Sequence, residues 1–300
     1  MKNLISSFLF IFFLSSCSTP VTLEFEEYKP EIVVNCLFTA KQYFNVNITY
    51  SKVKTDSSDF RKVANAIVSI NAQKAGVVHQ LYYQGDGNYS DSTFYPQFGE
   101  SYLLTVNVPG FETITATDSL PSLPAIIDLH SIQTEQLTSK GSRGFKITQH
   151  FITISDNNNE NNYYELRARS YDYEIERYYS DLLTSDDPLI TNEHANEYFD
   201  VTLIFSDELF KGNTVTLLCE QARYPGFDDK WIGNFTVYAL SEKLYRFSKL
   251  FRMHMASSYD IVYPVEPVIM ESGIENAYGI FAGYTASEFF FNPTNQPLPE

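Results

Sequence analysis

Residues 44–53 read FNVNITYSKV and indicate the fold of this chain most directly. Val46, Ile48 and Tyr50 alternate with polar residues, which is the period-two pattern of a strand with one buried face. Similar β-rich runs surround it at roughly 8- to 12-residue spacing. The runs are 32–38, 44–53, 66–72, 77–83, 102–108 and 112–117. Turn residues at 85–88 and 109–110 separate them, so residues 30–120 are predicted to form an immunoglobulin-like or transthyretin-like β-sandwich.

Pro121-Ser122-Leu123-Pro124 interrupts this pattern. Because proline cannot donate to a strand ladder and favours extended geometry in the residue before it, residues 121–125 are predicted to be a linker. The remainder, residues 126–300, is again β-rich and predicts a larger antiparallel β domain, so the fold class is mainly β. Its predicted strands are 126–132, 145–154, 163–175, 199–205, 214–218, 234–240 and 277–291.

One segment, residues 241–256, has the pattern of an amphipathic helix. Ser241 suits the N-cap, and Leu244, Phe247, Phe251 and Met255 recur at spacings of three and four. The opposite half carries four cations: Lys243, Arg246, Lys249 and Arg252. Two interpretations remain open. The helix packs on a sheet with an outer face of solvated lysine and arginine side chains, or that basic face binds an acidic partner or lipid headgroups.

The composition excludes several classes of protein. The chain has 300 residues with 24 Phe and 22 Tyr, and 44% of its residues are hydrophobic, which is too apolar for a disordered chain. Asp and Glu number 37 against 21 Lys and Arg, giving a formal net charge of -16. Nucleic-acid binding needs clustered positive charge, so no nucleic-acid partner is expected.

The N-terminus predicts export and lipidation. A basic start followed by the apolar run 4–14 is too short to span a bilayer but suits a signal peptide over residues 1–16. Leu14-Ser15-Ser16-Cys17 resembles the bacterial lipobox, which implies that Cys17 is lipidated, palmitate being one of its acyl chains, and that residues 17–29 form a tether. The alternative is an ordinary secretory signal that contains a cysteine by chance.

The motifs of catalysis and metal binding are missing from the sequence. The five histidines are scattered, and there is no Gly-x-Ser-x-Gly elbow, phosphate-binding loop or dinucleotide fingerprint. Asp186-Asp187 and Asp228-Asp229 lie beside turn residues, where solvated loop carboxylates are commoner than a glycosidase pair. Cys36 and Cys219 lie in separate apolar runs and are predicted to be buried thiols, the alternative being a disulfide between them. We therefore expect a non-catalytic protein without a metal or cofactor.

A cluster of tyrosine and arginine predicts a contact surface. It comprises Tyr163, Tyr164, Arg167, Arg169, Tyr171 and Tyr173. Tyrosine and arginine are favoured at recognition surfaces, and stacked rings also suit sugars. The alternative is ordinary cross-strand packing of tyrosines in a sheet.

Several segments together resemble the Bacteroidota lipoproteins grouped as domain of unknown function 4249. They are residues 25–35, 63–70, 99–106, 205–212, 264–268 and 277–282. The resemblance implies an outer-membrane lipoprotein, often encoded beside TonB-dependent transporters, with no established catalytic residues. We expect a lipid-anchored accessory protein of a TonB-dependent transporter or another outer-membrane β-barrel. A free-standing surface module that binds glycan or peptide is the alternative, and display at the cell surface is expected over a periplasmic orientation.

Overall fold

A computed structural model describes residues 28–53, 55–135, 146–157, 159–172, 176–190, 202–223, 231–259, 269–271 and 273–291. The predicted signal peptide, Cys17, most of the tether and Tyr173 lie outside these ranges. The described residues form sixteen strands and one helix. The strands are β1 (Ile32–Phe38), β2 (Asn45–Tyr50), β3 (Ile67–Ala72), β4 (Val77–Gly85), β5 (Asn88–Ser90), β6 (Ser101–Asn107), β7 (Ile114–Ser119), β8 (Ile126–Glu135), β9 (Lys146–Ser155), β10 (Tyr163–Asp172), β11 (Arg177–Ser180), β12 (Leu182–Thr184), β13 (Thr202–Ser206), β14 (Thr214–Arg223), β15 (Trp231–Leu240) and β16 (Tyr278–Phe291), and the helix is α1 (Glu242–Tyr259).

The predicted fold class, mainly β, is confirmed. Among the described residues, twelve strands make one large sheet in the order β11-β10-β15-β16-β1-β2-β5-β4-β3-β6-β7, with β13 also paired to β10. Four further strands make a second, antiparallel sheet in the order β12-β14-β9-β8. The short strand β5 was not predicted; it pairs with both β2 and β4 after the turn at Asp86-Gly87.

The N-terminal strands enclose one core, as a sandwich requires. Side chains of β1 and β2, such as Val34 and Ile48, belong to the same buried cluster as Ile70 of β3 and Leu104 of β6. This shared core means that the sheet folds back on itself. The predicted sandwich over residues 30–120 agrees with this arrangement, and its alternating burial follows the period-two pattern of the sequence.

Strand β16 connects the two β-rich regions. It pairs parallel with β1, with Cys36 opposite Phe281, and antiparallel with β15, with Val237 opposite Ser287. The most C-terminal strand, β16, therefore lies inside the large sheet, between β15 and the N-terminal strand β1. The predicted linker at residues 121–125 stays a prediction. Strands from before and after these residues belong to one hydrogen-bonded sheet.

Two glycines allow this junction. Gly279 has a φ of +113°, and a Cβ there would lie 2.0 Å from the carbonyl oxygen of Val34. A Cβ on Gly283 would lie 2.4 Å from the carbonyl oxygen of Ser119. Only glycine permits such close approach of two backbones, so both positions fix how β16 enters the sheet.

The β10–β15–β16 part of the large sheet is covered on both faces. One face packs on the second sheet through a core that includes Leu166, Phe235 and Leu217. The other face carries α1, which packs on Leu240 and Ile280 through Leu244. No helix among the described residues is long and apolar enough to cross a membrane.

Candidate functional site

The start of α1 is fixed by local hydrogen bonds. The Ser241 hydroxyl accepts the backbone N–H of Leu244 at 3.2 Å, so Ser241 is the N-cap, as predicted. The Ser241 N–H donates to the carbonyl oxygen of Gly283 at 3.0 Å, and the Lys243 ammonium donates to the carbonyl oxygen of Thr117. These contacts attach the helix to β16 and β7.

An open groove of about 340 Å³ lies between α1 and the sheet. Its apolar lining comes from five elements: β1, β13, β15 and β16 on the side of the sheet, and α1 on the other side. The aliphatic lining residues are Leu37, Ile204, Leu240, Leu244 and Ile280, and the aromatic ones are Tyr238, Phe247, Phe251 and Tyr284. A volume of this order lies at the small end of the range for ligand sites.

The charged end of the groove is built around Glu165. Its carboxylate is buried and accepts two hydrogen bonds from Arg167, from Nε at 2.9 Å and from Nη2 at 3.1 Å. Arg252 of α1 approaches the same carboxylate, with Nη2 3.7 Å from Oε1, and donates from Nη1 to the carbonyl oxygen of Thr202 at 3.0 Å. One carboxylate is therefore shared by two guanidinium groups that come from different elements.

The surroundings stabilise the charge of Arg167. Burial alone would lower the pKa of Arg167, but the hydrogen bonds and negative charge of Glu165 outweigh this and raise it. The guanidinium also lies over the Tyr238 ring, 4.8 Å from its centroid. The pair Glu165–Arg167 is thus a preorganised, bidentate ion pair at the floor of an apolar groove.

Strand geometry separates the predicted Tyr and Arg cluster into two faces. Tyr163, Arg167, Arg169 and Tyr171 alternate on the helix side of β10, and Tyr164 does not join them. Tyr164 packs in the core against Phe205, with ring centroids 5.4 Å apart, and burial raises the pKa of its hydroxyl. Its inclusion in a contact surface was therefore wrong, because its position has the opposite parity in the strand.

The rest of the cluster forms ring contacts next to the groove. Tyr163 stacks on Tyr245 of α1 with centroids 4.7 Å apart. Arg169 lies over Tyr178 of β11 at 5.4 Å, and Tyr171 packs against the same ring at 4.8 Å. Packing against the helix thus accounts for Tyr163 and cross-strand packing for Tyr171, whereas Arg167 belongs to the groove.

The four cations of the helix do not share one outer face. Arg246 pairs with Glu242 one turn earlier, and Lys249 lies over the Tyr245 ring at 5.2 Å. Lys243 binds backbone carbonyls at the helix start. Arg252 was predicted on the half opposite the apolar residues, and this was wrong: it lines the groove together with Phe247 and Phe251.

Two apolar residues of the helix are more exposed than the amphipathic pattern predicts. Leu244 is buried, but Phe251 is 48% exposed and Met255 is 38% exposed. Leu37, across the groove, is 54% exposed. The sheet therefore covers only the first turns of α1 and leaves an apolar rim.

A family model described as domain of unknown function (DUF4249) matches residues 18–289. The chain belongs to this family. A search of curated proteins finds no significant match.

Several segments that resemble this family's signatures meet at the groove and the sheet junction. The described part of the DUF4249-like segment 25–35 runs into β1, the segment 277–282 forms the start of β16, and the segment 205–212 begins at the end of β13. Residues 264–268 lie outside the described ranges. The groove lining from β1, β13 and β16 thus comes from, or next to, segments by which the chain resembles DUF4249 proteins.

Sequence reasoning missed Glu165, the residue at the centre of the site. A single glutamate between Tyr164 and Leu166 gave one available signal, since a charged residue within an apolar strand marks the face that leaves the core. What the sequence could not supply is the approach of Arg252, 87 positions further along the chain.

A second polar cluster lies between the two sheets of this DUF4249 protein. The Ser131 hydroxyl lies 2.8 Å from Nδ1 of His150, Nε2 of His150 lies 2.8 Å from Oε1 of Gln221, and Asp181 accepts from Gln221 at 2.5 Å and from Ser170 at 2.6 Å. Burial, only partly offset by the Gln221 hydrogen bond, lowers the pKa of His150 to about 4. The chain of bonds joins β9 and β14 to β10, so it links the sheets.

The remaining predicted chemistry can be placed as follows. Cys36 and Cys219 are buried and unpaired, as predicted, and burial raises the pKa of the Cys36 thiol to about 12 and that of Cys219 as well, which makes them poor nucleophiles. Within the described ranges, no three His, Cys, Asp or Glu side chains come close enough together to hold a metal ion.

Proposed function

We propose that this chain is a lipid-anchored, non-catalytic outer-membrane protein that binds a TonB-dependent transporter or another β-barrel through the α1 groove. The observation that carries the proposal is the apolar rim beside a charged floor. Leu37 and Phe251, roughly half exposed, face a groove that contains Glu165, Arg167 and Arg252. Exposed apolar side chains grouped around a few oriented polar groups are typical of binding sites.

Lipidation at Cys17 would allow a partner in the same membrane to occupy such a site even if the groove binds it only weakly. An anchor confines the protein to the same membrane as its partner and raises the effective concentration of the two. A groove of about 340 Å³ would give only a modest interface by itself, and confinement would keep it occupied. The direction of display, toward the cell surface, belongs to this proposal, as does cleavage of residues 1–16.

Crosslinking in intact membranes tests the proposal. A photoreactive residue placed at Leu37 in the rim should crosslink to one β-barrel protein that mass spectrometry identifies. Phe251→Asp should abolish this product, because a carboxylate at the rim replaces apolar contact with a charge that is costly to bury. Protease shaving of intact cells tests surface display, which requires that the mature chain be degraded.

Phe98→Asp is the matched control. Phe98 is 53% exposed but lies in the turn before β6, away from the groove. This variant should crosslink as the wild type does. A groove that yields no barrel product in the wild type, or equal loss in both variants, would contradict the proposal, and a wild type without any membrane partner would favour a free-standing surface module.

A further inference from the structure

One end of the N-terminal sandwich carries exposed apolar side chains on its loops. Phe60 is 49% exposed, and Val53, in the same loop, and Phe111, in the turn after β6, are exposed as well. These side chains lie on connections between strands, where a broad surface can cover them, and they do not line the α1 groove. Grouped apolar side chains on a protein surface mark contacts with other proteins or with membranes.

Ring and backbone contacts join these residues into one surface. The backbone N–H of Tyr50 donates to the carbonyl oxygen of Arg61 at 2.8 Å, which holds the end of the loop 51–62 against β2. The Tyr50 ring packs on Phe111, with centroids 5.9 Å apart, and the Arg61 guanidinium lies 3.7 Å from the centre of the Tyr50 ring. The Lys52 ammonium lies 4.7 Å from the centre of the Phe60 ring. The sandwich-end surface thus comprises Tyr50, Lys52, Val53, Phe60, Arg61 and Phe111.

The predicted tether ends beside this surface. Tyr28, the first described residue, donates its hydroxyl hydrogen to the Ser51 hydroxyl, and the Glu31 N–H donates to the same oxygen at 2.8 Å. Ser51 is the first residue of the loop 51–62. Tyr28 follows Cys17 by 11 positions, and a chain of that length spans at most about 40 Å. A lipid on Cys17 would therefore keep Tyr28, and the surface next to it, within about that distance of the bilayer.

The cations of the sandwich-end surface lie on aromatic rings. A ring that enters the boundary between lipid headgroups and acyl chains gains apolar contact, and a cation on a long side chain beside it can reach the lipid phosphates. Lys52 on Phe60 and Arg61 on Tyr50 have this arrangement. Carboxylates belong to this end too, at Glu31, Asp56, Asp59 and Glu112. The pairing of cations with rings, and not an excess of positive charge, is therefore what favours lipid.

We infer that the sandwich-end surface rests on the membrane that holds the acylated Cys17, with the Phe60 and Phe111 rings inserted among the lipid headgroups. This inference rests on the lipid anchor of the proposed function and adds a second membrane contact to it. The anchor raises the local concentration of this surface at the bilayer, so a weak insertion is enough. Lys52 and Arg61 then bind lipid phosphates beside the inserted rings.

Membrane contact at this end would set the height of the groove above the bilayer. Strand β1 starts at this end, where Ile32 pairs with Tyr50. A strand rises by about 3.3 Å per residue, so Leu37 lies roughly 16 Å further along β1 than Ile32. The groove would then lie above the bilayer surface, at the level of the extramembrane parts of a barrel partner.

Tryptophan fluorescence in vesicles tests the inference on the acylated chain purified from membranes. The chain has one tryptophan, Trp231, which gives the background signal, and Phe60→Trp adds a second. In vesicles of phosphatidylethanolamine with some phosphatidylglycerol, the added signal should shift to shorter wavelength. Lipids brominated near the headgroup should remove roughly half of it, because a side chain seated about 5–10 Å deep lies within reach of the bromine. Phe111→Trp should give the same result.

Two controls locate the effect at this end of the sandwich. Phe98 is also half exposed, but it precedes β6 whereas Phe111 follows it, so the signal added by Phe98→Trp should not be quenched. Lys52→Glu, combined with Phe60→Trp, should reduce the quenching about twofold or more, because a carboxylate there would face lipid phosphates. Lys41→Glu, in the turn after β1, should leave the quenching unchanged.

Circular dichroism verifies that each variant folds. Equal quenching of the Phe60→Trp and Phe98→Trp signals, or no quenching of the signals added at positions 60 and 111, would overturn the inference.

The outcomes also separate this inference from the proposed function. A barrel product at Leu37, together with unquenched signals at positions 60 and 111, would refute the membrane contact alone. Quenching at position 60 in a protein that crosslinks to no barrel would refute the transporter role alone. A purified chain whose mass shows no acyl chain on Cys17 would refute the anchor, on which both proposals depend.

Discussion

Acid should destabilise this protein through one histidine between its sheets. His150 has a pKa of about 4 because burial, the dominant cause, disfavours the charged ring and the Gln221 hydrogen bond only partly offsets it. The ring also stacks on Phe235, with centroids 4.4 Å apart. Because the Gln221 amide group donates to Asp181, its carbonyl faces Nε2 of His150, so that nitrogen carries the proton and Nδ1 accepts from Ser131.

The sign and size of the effect follow from the two pKa values. Unfolded, the ring takes up a proton as the pH falls below the ordinary value of 6.5, whereas the folded protein keeps it neutral down to about pH 4. Stability from His150 is therefore complete above pH 6.5 and is lost as the pH falls toward 4. The total is about 3 kcal/mol, and about 2 kcal/mol of it should be lost between pH 7 and pH 5.

Urea denaturation followed by circular dichroism measures this loss. Carboxylates also titrate in this range, so the test compares the wild type with His150→Gln, which keeps a donor and an acceptor but cannot be protonated there. The free energy of unfolding should fall by about 2 kcal/mol more in the wild type than in the variant between pH 7 and pH 5. His130→Gln, a ring on the exposed face of β8, is the matched control and should follow the wild type. Parallel pH profiles for the wild type and His150→Gln would refute the reasoning.

Two substitutions test the packing of the strands. Gly279→Ala should lower the free energy of unfolding by about 3 kcal/mol or more, because its Cβ would meet the Val34 carbonyl, while Gly76→Ala, with a φ of +67° and open space around it, should cost only about 1 to 2 kcal/mol. Tyr89→Phe should cost about 1 to 3 kcal/mol in urea denaturation, because the buried hydroxyl that accepts the Ala66 N–H at 3.0 Å is lost; equal stability to the wild type would contradict this.

The sequence predicts those parts of the fold that depend on neighbouring residues. The apolar, β-rich run placed β1 at residues 32–38 as the structure has it, and the N-cap and apolar spacing located α1 to within a few residues of Glu242–Tyr259. The parallel pairing of β1 with β16 joins residues more than 240 positions apart, and no local pattern reports such a contact. Gly279 was visible as a residue of the terminal strand, but its role depends on the Val34 carbonyl that it meets.

The candidate site shows the same limit more sharply. The amphipathic pattern predicts that Phe251 faces the sheet. It does not show whether the sheet extends far enough to cover this side chain, and in the structure the sheet leaves Phe251 about half exposed. Likewise, the helical pattern placed Arg252 on the half opposite the apolar residues, whereas a carboxylate from β10 accommodates it beside the apolar face. A helical pattern gives the direction of a side chain, and only the partner element decides what the side chain meets there.

The groove is built from both β-rich regions of the chain, so neither region alone would form it. Its lining on the side of the sheet includes Leu37 from β1 and Ile280 and Tyr284 from β16. Residues 126–300 alone would leave β16 without the neighbour that pairs with Tyr278 to Gly283, and the groove would lose the Leu37 side chain. The contacts of Gly279 and Gly283 set the position of β16 against both β1 and α1. The placement of β16 therefore both joins the two β-rich regions and forms the groove. Binding through this groove would therefore require that the whole chain be folded. A substitution at Gly279 or Gly283 should weaken both the binding and the stability of the fold.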